Sequence, residues 1–201
     1  MGKIGMKTAI FGVLCNFFLF LIKLYVGIST NSLAIYVDSI NNLGDTFSCF
    51  IAIAGFAFVL KTKEEKKGER IQSLSSFVIG MIVAVTGAYC VYSGLERFMY
   101  PLLVSYSRNY ALLICLTAVV KLVMGFVYIR MNKKSPSPVL KTLILDSFLD
   151  FGITVSAVCG FFLIEKLGFA ADGFIGIAIG IAIVISASKS VWEQAKKLVN
   201  D

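Results

Sequence analysis

The chain has no histidine, and that absence narrows its chemistry before anything else is read. Zinc sites usually draw on histidine or cysteine, so zinc is disfavoured from the start, though not excluded. The five cysteines, Cys15, Cys49, Cys90, Cys115 and Cys159, stand singly in apolar stretches with no Cys-x-x-Cys spacing. They read as small packing residues rather than as disulfides or a thiolate metal site. No cleavable leader is expected either. Residues Met1 to Lys7 lead straight into an apolar run that continues to Ile28, too long for the core of a signal peptide and without a clear small-residue cleavage site. The net charge of +7 is not accompanied by any nucleic-acid motif.

What is abundant is apolar surface. Hydrophobic residues make up 58% of the 201, and the mean hydropathy is +0.85, far outside the range of soluble globular domains. The chain is therefore read as an all-α integral membrane protein. Taking about 20 residues per span as the template, six segments fit, at 6–28, 33–60, 72–99, 109–131, 140–164 and 171–190. Residues 1–190 are expected to form one six-helix transmembrane domain, with 191–201 as a short cytoplasmic tail. Ser29-Thr30-Asn31-Ser32 leaves room only for a tight turn, so the first two spans double back as an antiparallel hairpin. Lys61 to Arg70 reads as a charged link, residues 101–108 as the next turn, and Pro136 and Pro138 as a break before the fifth span.

Placing both termini on one side puts fourteen of the nineteen lysines and arginines there, including Lys61, Lys63, Lys66, Lys67, Arg70, Lys133 and Lys134. By the positive-inside rule that side is cytoplasmic. The charge is thus read as topology and contact with anionic lipid, not as nucleic-acid binding.

Two stretches break the apolar pattern. One is Asp38-Ser39-Ile40-Asn41-Asn42-Leu43-Gly44-Asp45, and the other, about a hundred residues on, is Asp146-Ser147-Phe148-Leu149-Asp150. A charged side chain at membrane depth costs roughly 2.5–3.5 kcal/mol on insertion scales, so it is retained where something compensates. Residues four apart share a helix face, which aligns Asn41 with Asp45 and Asp146 with Asp150. If the two helices meet, these four form one oxygen-lined cation site. Asp38 and Asn42 fall near the same face, so the pair contributed by the second span stays open on geometry alone. Carboxylates and an amide are hard donors, suited to Mn²⁺, Mg²⁺ or Ca²⁺. A single buried acid has a plainer role too, as the partner of Lys23 or Lys121. Gly176-x-x-x-Gly180 permits close helix packing, and Trp192, Tyr100 and Tyr106 suit the interfacial belt.

The stretch from Asn31 to Asp45 resembles the second-helix signature of the cation diffusion facilitator family, and Asp146-x-x-x-Asp150 and Gly68-x-Arg70 match that family's pattern as well. The resemblance implies a six-helix transporter, usually a homodimer, that exports divalent metal by proton exchange. It is no enzyme and has no permanently bound cofactor; its partners are the bilayer, protons and the transported ion. Counting from Ser32 places the family's ligands at Asn41 and Asp45, with Asp38 and Asn42 as second candidates. An Asn-x-x-x-Asp and Asp-x-x-x-Asp set is similar to that of manganese-exporting members, so Mn²⁺ is favoured and Fe²⁺ comes second. Zinc or another divalent cation is the alternative. The expected location is the plasma membrane of a prokaryote.

Three departures accompany the resemblance. The chain ends at Asp201, about where the family's cytosolic domain begins, so it is either naturally short or a fragment. The link after the second span lacks the ligands some members carry, and Gln72 replaces an acid two residues beyond Arg70. Rival readings are a non-transporting membrane assembly subunit and an intramembrane aspartyl protease. The protease signature is only partly matched by Leu43-Gly44-Asp45, because Asn42 stands where a glycine is required.

Overall fold

The computed structural model describes residues 2–61, 65–100, 103–105, 107–167 and 170–200. Among these the chain forms six helices: α1 (Gly2–Thr30), α2 (Leu33–Lys61), α3 (Glu65–Met99), α4 (Arg108–Lys134), α5 (Pro138–Leu167) and α6 (Ala170–Asn200). No strand occurs among the described residues. Each helix contains the apolar segment expected at its place and extends past it. Glu65 to Arg70, read above as link, is helical, and the expected tail beyond 190 continues α6. The reason is local: Glu, Lys, Gln and Arg are good helix formers, so a helix need not stop where the apolar run stops. One turn beyond the α6 span, the Lys196 ammonium lies 5.2 Å from the centre of the Trp192 ring. Of the expected turn at 101–108, Pro101, Leu102 and Tyr106 lie outside the described residues, as do Thr62 to Glu64 of the expected link.

Five of the helices are long and apolar enough to cross a membrane: α1, α3, α4, α5 and α6. The outer surface is correspondingly oily, with Phe18, Tyr25, Phe58, Val85, Leu112 and Phe126 all exposed, while Lys23, Asp38, Asn41, Asp45 and Lys121 are buried. That inversion suits a lipid solvent, in which polar side chains turn towards the bundle interior. The cysteines are free thiols. Cys49 and Cys90 are buried as packing residues, but Cys115 and Cys159 lie on the outer surface.

The helices pack most extensively as α3 with α6, α1 with α2, and α4 with α5. The α1–α2 hairpin turns at Asn31, whose φ of 56° is the left-handed conformation that asparagine tolerates just past a helix end. The turn is tied down by its backbone: Arg97 Nη2 donates to Asn31 O at 2.6 Å, and Ser105 N donates to Thr30 O at 2.8 Å. Gly27 lets the two backbones close up, since a Cβ there would sit 2.9 Å from both N and Cα of Tyr36.

The second close approach joins α3 and α6. A Cβ on Gly180 would lie 2.7 Å from Val91 N and 2.9 Å from Gly87 O, whereas one on Gly176 would meet nothing nearer than 3.4 Å. Of the two glycines in the small-residue motif, Gly180 is thus the one the packing requires. Gly180→Leu should force the helices apart and destabilise the bundle by roughly 1–3 kcal/mol. Gly152→Ala should cost nothing, because no atom lies within 4 Å of its Cβ position. Thermal unfolding of the detergent-solubilised protein checks both.

Candidate metal site

The acids of α2 and α5 meet in the bundle interior. Asp45 and Asp150 are each only 1% exposed, Asn41 is 3% exposed, and Asp146 is half-buried. The four-residue spacing on each helix does what geometry demands of it, presenting one pair of side chains from α2 and one from α5. One carboxylate oxygen from each of Asp45, Asp146 and Asp150 lies within 4.8 Å of the other two. Asn41 Nδ2 donates to Asp150 Oδ1 at 2.5 Å, which joins the amide to the same group. All four residues of the expected site are therefore adjacent.

Lys121 of α4 completes the cluster. Its buried ammonium donates to Asp45 Oδ2 at 2.8 Å and also to Asp150 Oδ2. One basic group thus joins α2, α4 and α5. Asp45 Oδ1 remains buried without a hydrogen-bond donor. From the sequence alone, Lys121 is only a plain partner for a buried acid. The signal that pointed further was its position in mid-span, where a lysine cannot reach water and must find carboxylates.

The second candidates, Asp38 and Asn42, belong to a neighbouring arrangement. Lys23 Nζ donates to Asp38 Oδ1 and to Thr154 Oγ1, both at 2.8 Å, and Asn42 Nδ2 donates to Asp38 O at 2.7 Å. Thr154 Oγ1 in turn donates to Asp150 O at 2.8 Å, so the ion pair rests on the same turn of α5 as the acid cluster. Asp38 is outside the grouping of three carboxylates. Lys23 is fully buried, so it pairs with an acid and does not snorkel to the surface.

Counted as ionised groups, the buried acids Asp38, Asp45 and Asp150 exceed Lys23 and Lys121 by one negative charge, and the half-buried Asp146 brings the excess to two. A divalent cation is the species that would cancel this excess in a medium where uncompensated charge is expensive. Access exists beside the cluster. A cavity of about 510 Å³ is lined by Asn41, Asp146 and Asp150 and by apolar residues of α5 and α6 such as Ile153, Phe174 and Ile179. A second, of about 650 Å³, shares Asp146 and Leu149 with it and extends to Lys141, Lys189 and Glu193. Asp146 faces both.

Residues 9–199 match the cation efflux transmembrane domain family. The chain belongs to this family. Nearly the whole of the sequence is covered, and the six-helix bundle is the architecture that membership implies. A comparison with curated proteins finds no match. Cation efflux proteins are integral membrane transporters of divalent cations, so the intramembrane protease reading is set aside.

The Lys23–Asp38 pair allows a test of the interior polar network. Lys23→Met leaves a carboxylate uncompensated in the bundle and should destabilise the protein by about 3–5 kcal/mol, whereas Lys23→Met combined with Asp38→Leu should recover most of that loss. A double-mutant cycle on unfolding in detergent measures both.

Proposed function

We propose that this cation efflux protein exports Mn²⁺, with Fe²⁺ as its second substrate, in exchange for protons, through a site of Asn41, Asp45, Asp146 and Asp150. The observation that carries the reading is the convergence of three carboxylates from α2 and α5 within 4.8 Å, joined by an amide. Oxygen donors without histidine or thiolate favour a hard divalent ion over zinc. With the half-buried Asp146 counted and all four acids ionised, the excess of two negative charges favours a divalent over a monovalent one.

The exchange follows from the chemistry of the ligands. Metal binding requires ionised carboxylates, so it is coupled to proton release, and protons returning from the far side would help to expel the metal. Rocking of the bundle about the fixed site would expose it to each side in turn. The lysine and arginine distribution supports cytoplasmic termini, and with them the cavity towards Lys141 and Lys189 as the cytoplasmic entrance. The cell membrane of a prokaryote and a homodimer complete the proposal, with residues 1–190 as the transporting domain.

Reconstitution tests the reading. In proteoliposomes, Mn²⁺ uptake should respond to an imposed pH gradient, exceed Zn²⁺ uptake, and fall to background in Asp45→Ala and Asp150→Ala. Transport retained in both variants would remove the site from the mechanism. No uptake of any ion by the wild-type protein would favour the non-transporting assembly subunit.

A further inference from the structure

The site proposed for the cargo already holds a cation that belongs to the chain. Lys121 Nζ bonds the two most deeply buried carboxylates of the cluster, Asp45 and Asp150, from a third helix. A hard divalent ion would take those same oxygens at about 2.0–2.6 Å. The ammonium and the metal compete for the Oδ2 atoms of Asp45 and Asp150, and two cations held a few ångströms apart in the bundle interior repel.

We infer that Lys121 is a tethered competitor of the metal, bonding Asp45 and Asp150 when the cargo is absent, leaving them as it binds and returning as it departs. This rests on the metal site proposed above. Three physical points support it. The lysine ammonium is a point charge on a flexible four-carbon stem, suited to moving between partners where a planar guanidinium would be held. Lys23, the other buried lysine near the cluster, is engaged by Asp38 and Thr154 and leaves Lys121 as the basic group bonded to the cluster. Asp45 Oδ1, buried without a donor, is an acceptor at which an arriving metal would make its first contact before Lys121 leaves. Three clustered carboxylates with no competing cation would hold a divalent ion so firmly that release would be slow, whereas transport needs binding weak enough to leave. Lys121 is thus a specificity- and release-determining residue rather than a ligand.

A structural strut predicts the opposite effect on removal: without Lys121 the helices would splay and the site would bind less. The test measures Mn²⁺ binding to the full chain in detergent by the loss of the free-ion paramagnetic signal, comparing wild type with Lys121→Gln, Lys121→Met and Lys121→Arg. The two neutral variants should bind Mn²⁺ about tenfold more tightly or better, the scale expected for a unit charge removed from a few ångströms away. Lys121→Arg should bind no more tightly than wild type. In proteoliposomes the neutral variants should show a lower apparent KM together with a lower maximal rate, a split that a loosened fold does not produce. Equal or weaker binding in the neutral variants, with wild type still binding, overturns the competitor role and leaves the metal site standing. Loss of a folded particle in both neutral variants overturns it in favour of the strut. Absence of Mn²⁺ binding in every form, wild type included, overturns the metal site and the competitor together.

Discussion

The structure depends on matching the charges buried among its helices, Lys121 with Asp45 and Asp150, and Lys23 with Asp38. In a bilayer, apolar side chains gain little by leaving lipid for one another, so helix association rests on close packing and interior polar contacts. Charges buried there are tolerated only when matched and hydrogen-bonded. The meeting of α2, α4 and α5 at one depth follows from that requirement, because each contributes a charge the others must balance. The Lys23–Asp38 pair, resting on Thr154, fastens α1 to the same place by the same logic. The polar centre is at once what orders the helices and where a cation would be bound.

The remaining two helices are held by a different force. Between α3 and α6 the contact is made by glycines, with Gly180 letting backbone approach backbone at Val91 and Gly87. This pair supplies no carboxylate or ammonium to the cluster, and α6 instead walls the cavities through which Asp146 is reached. The bundle thus divides into a charged interior built on α1, α2, α4 and α5, and a closely packed pair flanking the route to it.

Much of the fold was legible in the sequence. The apolar segments predicted six helices because a bilayer demands about 20 apolar residues per crossing, and the brief Ser29 to Ser32 turn required a hairpin. Helix ends were less legible: charged residues such as those from Glu65 to Arg70 are compatible with helix or with loop, and only the extended α3 decides between them. The polar stretch of α2 did not hide that helix, since the apolar residues around it, at 33–60, are long enough for a span.

For the candidate site, the sequence by itself determined which side chains share a face, because the period of 3.6 residues aligns Asn41 with Asp45 and Asp146 with Asp150 wherever those helices lie. It also determined the donor chemistry, oxygen without imidazole. Tertiary structure decided that the two faces meet, that Asp38 is taken by Lys23, and that Lys121 stands among the acids rather than beside Asp38. Those outcomes depend on which of two buried lysines reaches which carboxylate, across separations of 15, 29 and 76 residues. Helical periodicity carries no information about that distance, and only the packing of the whole bundle does.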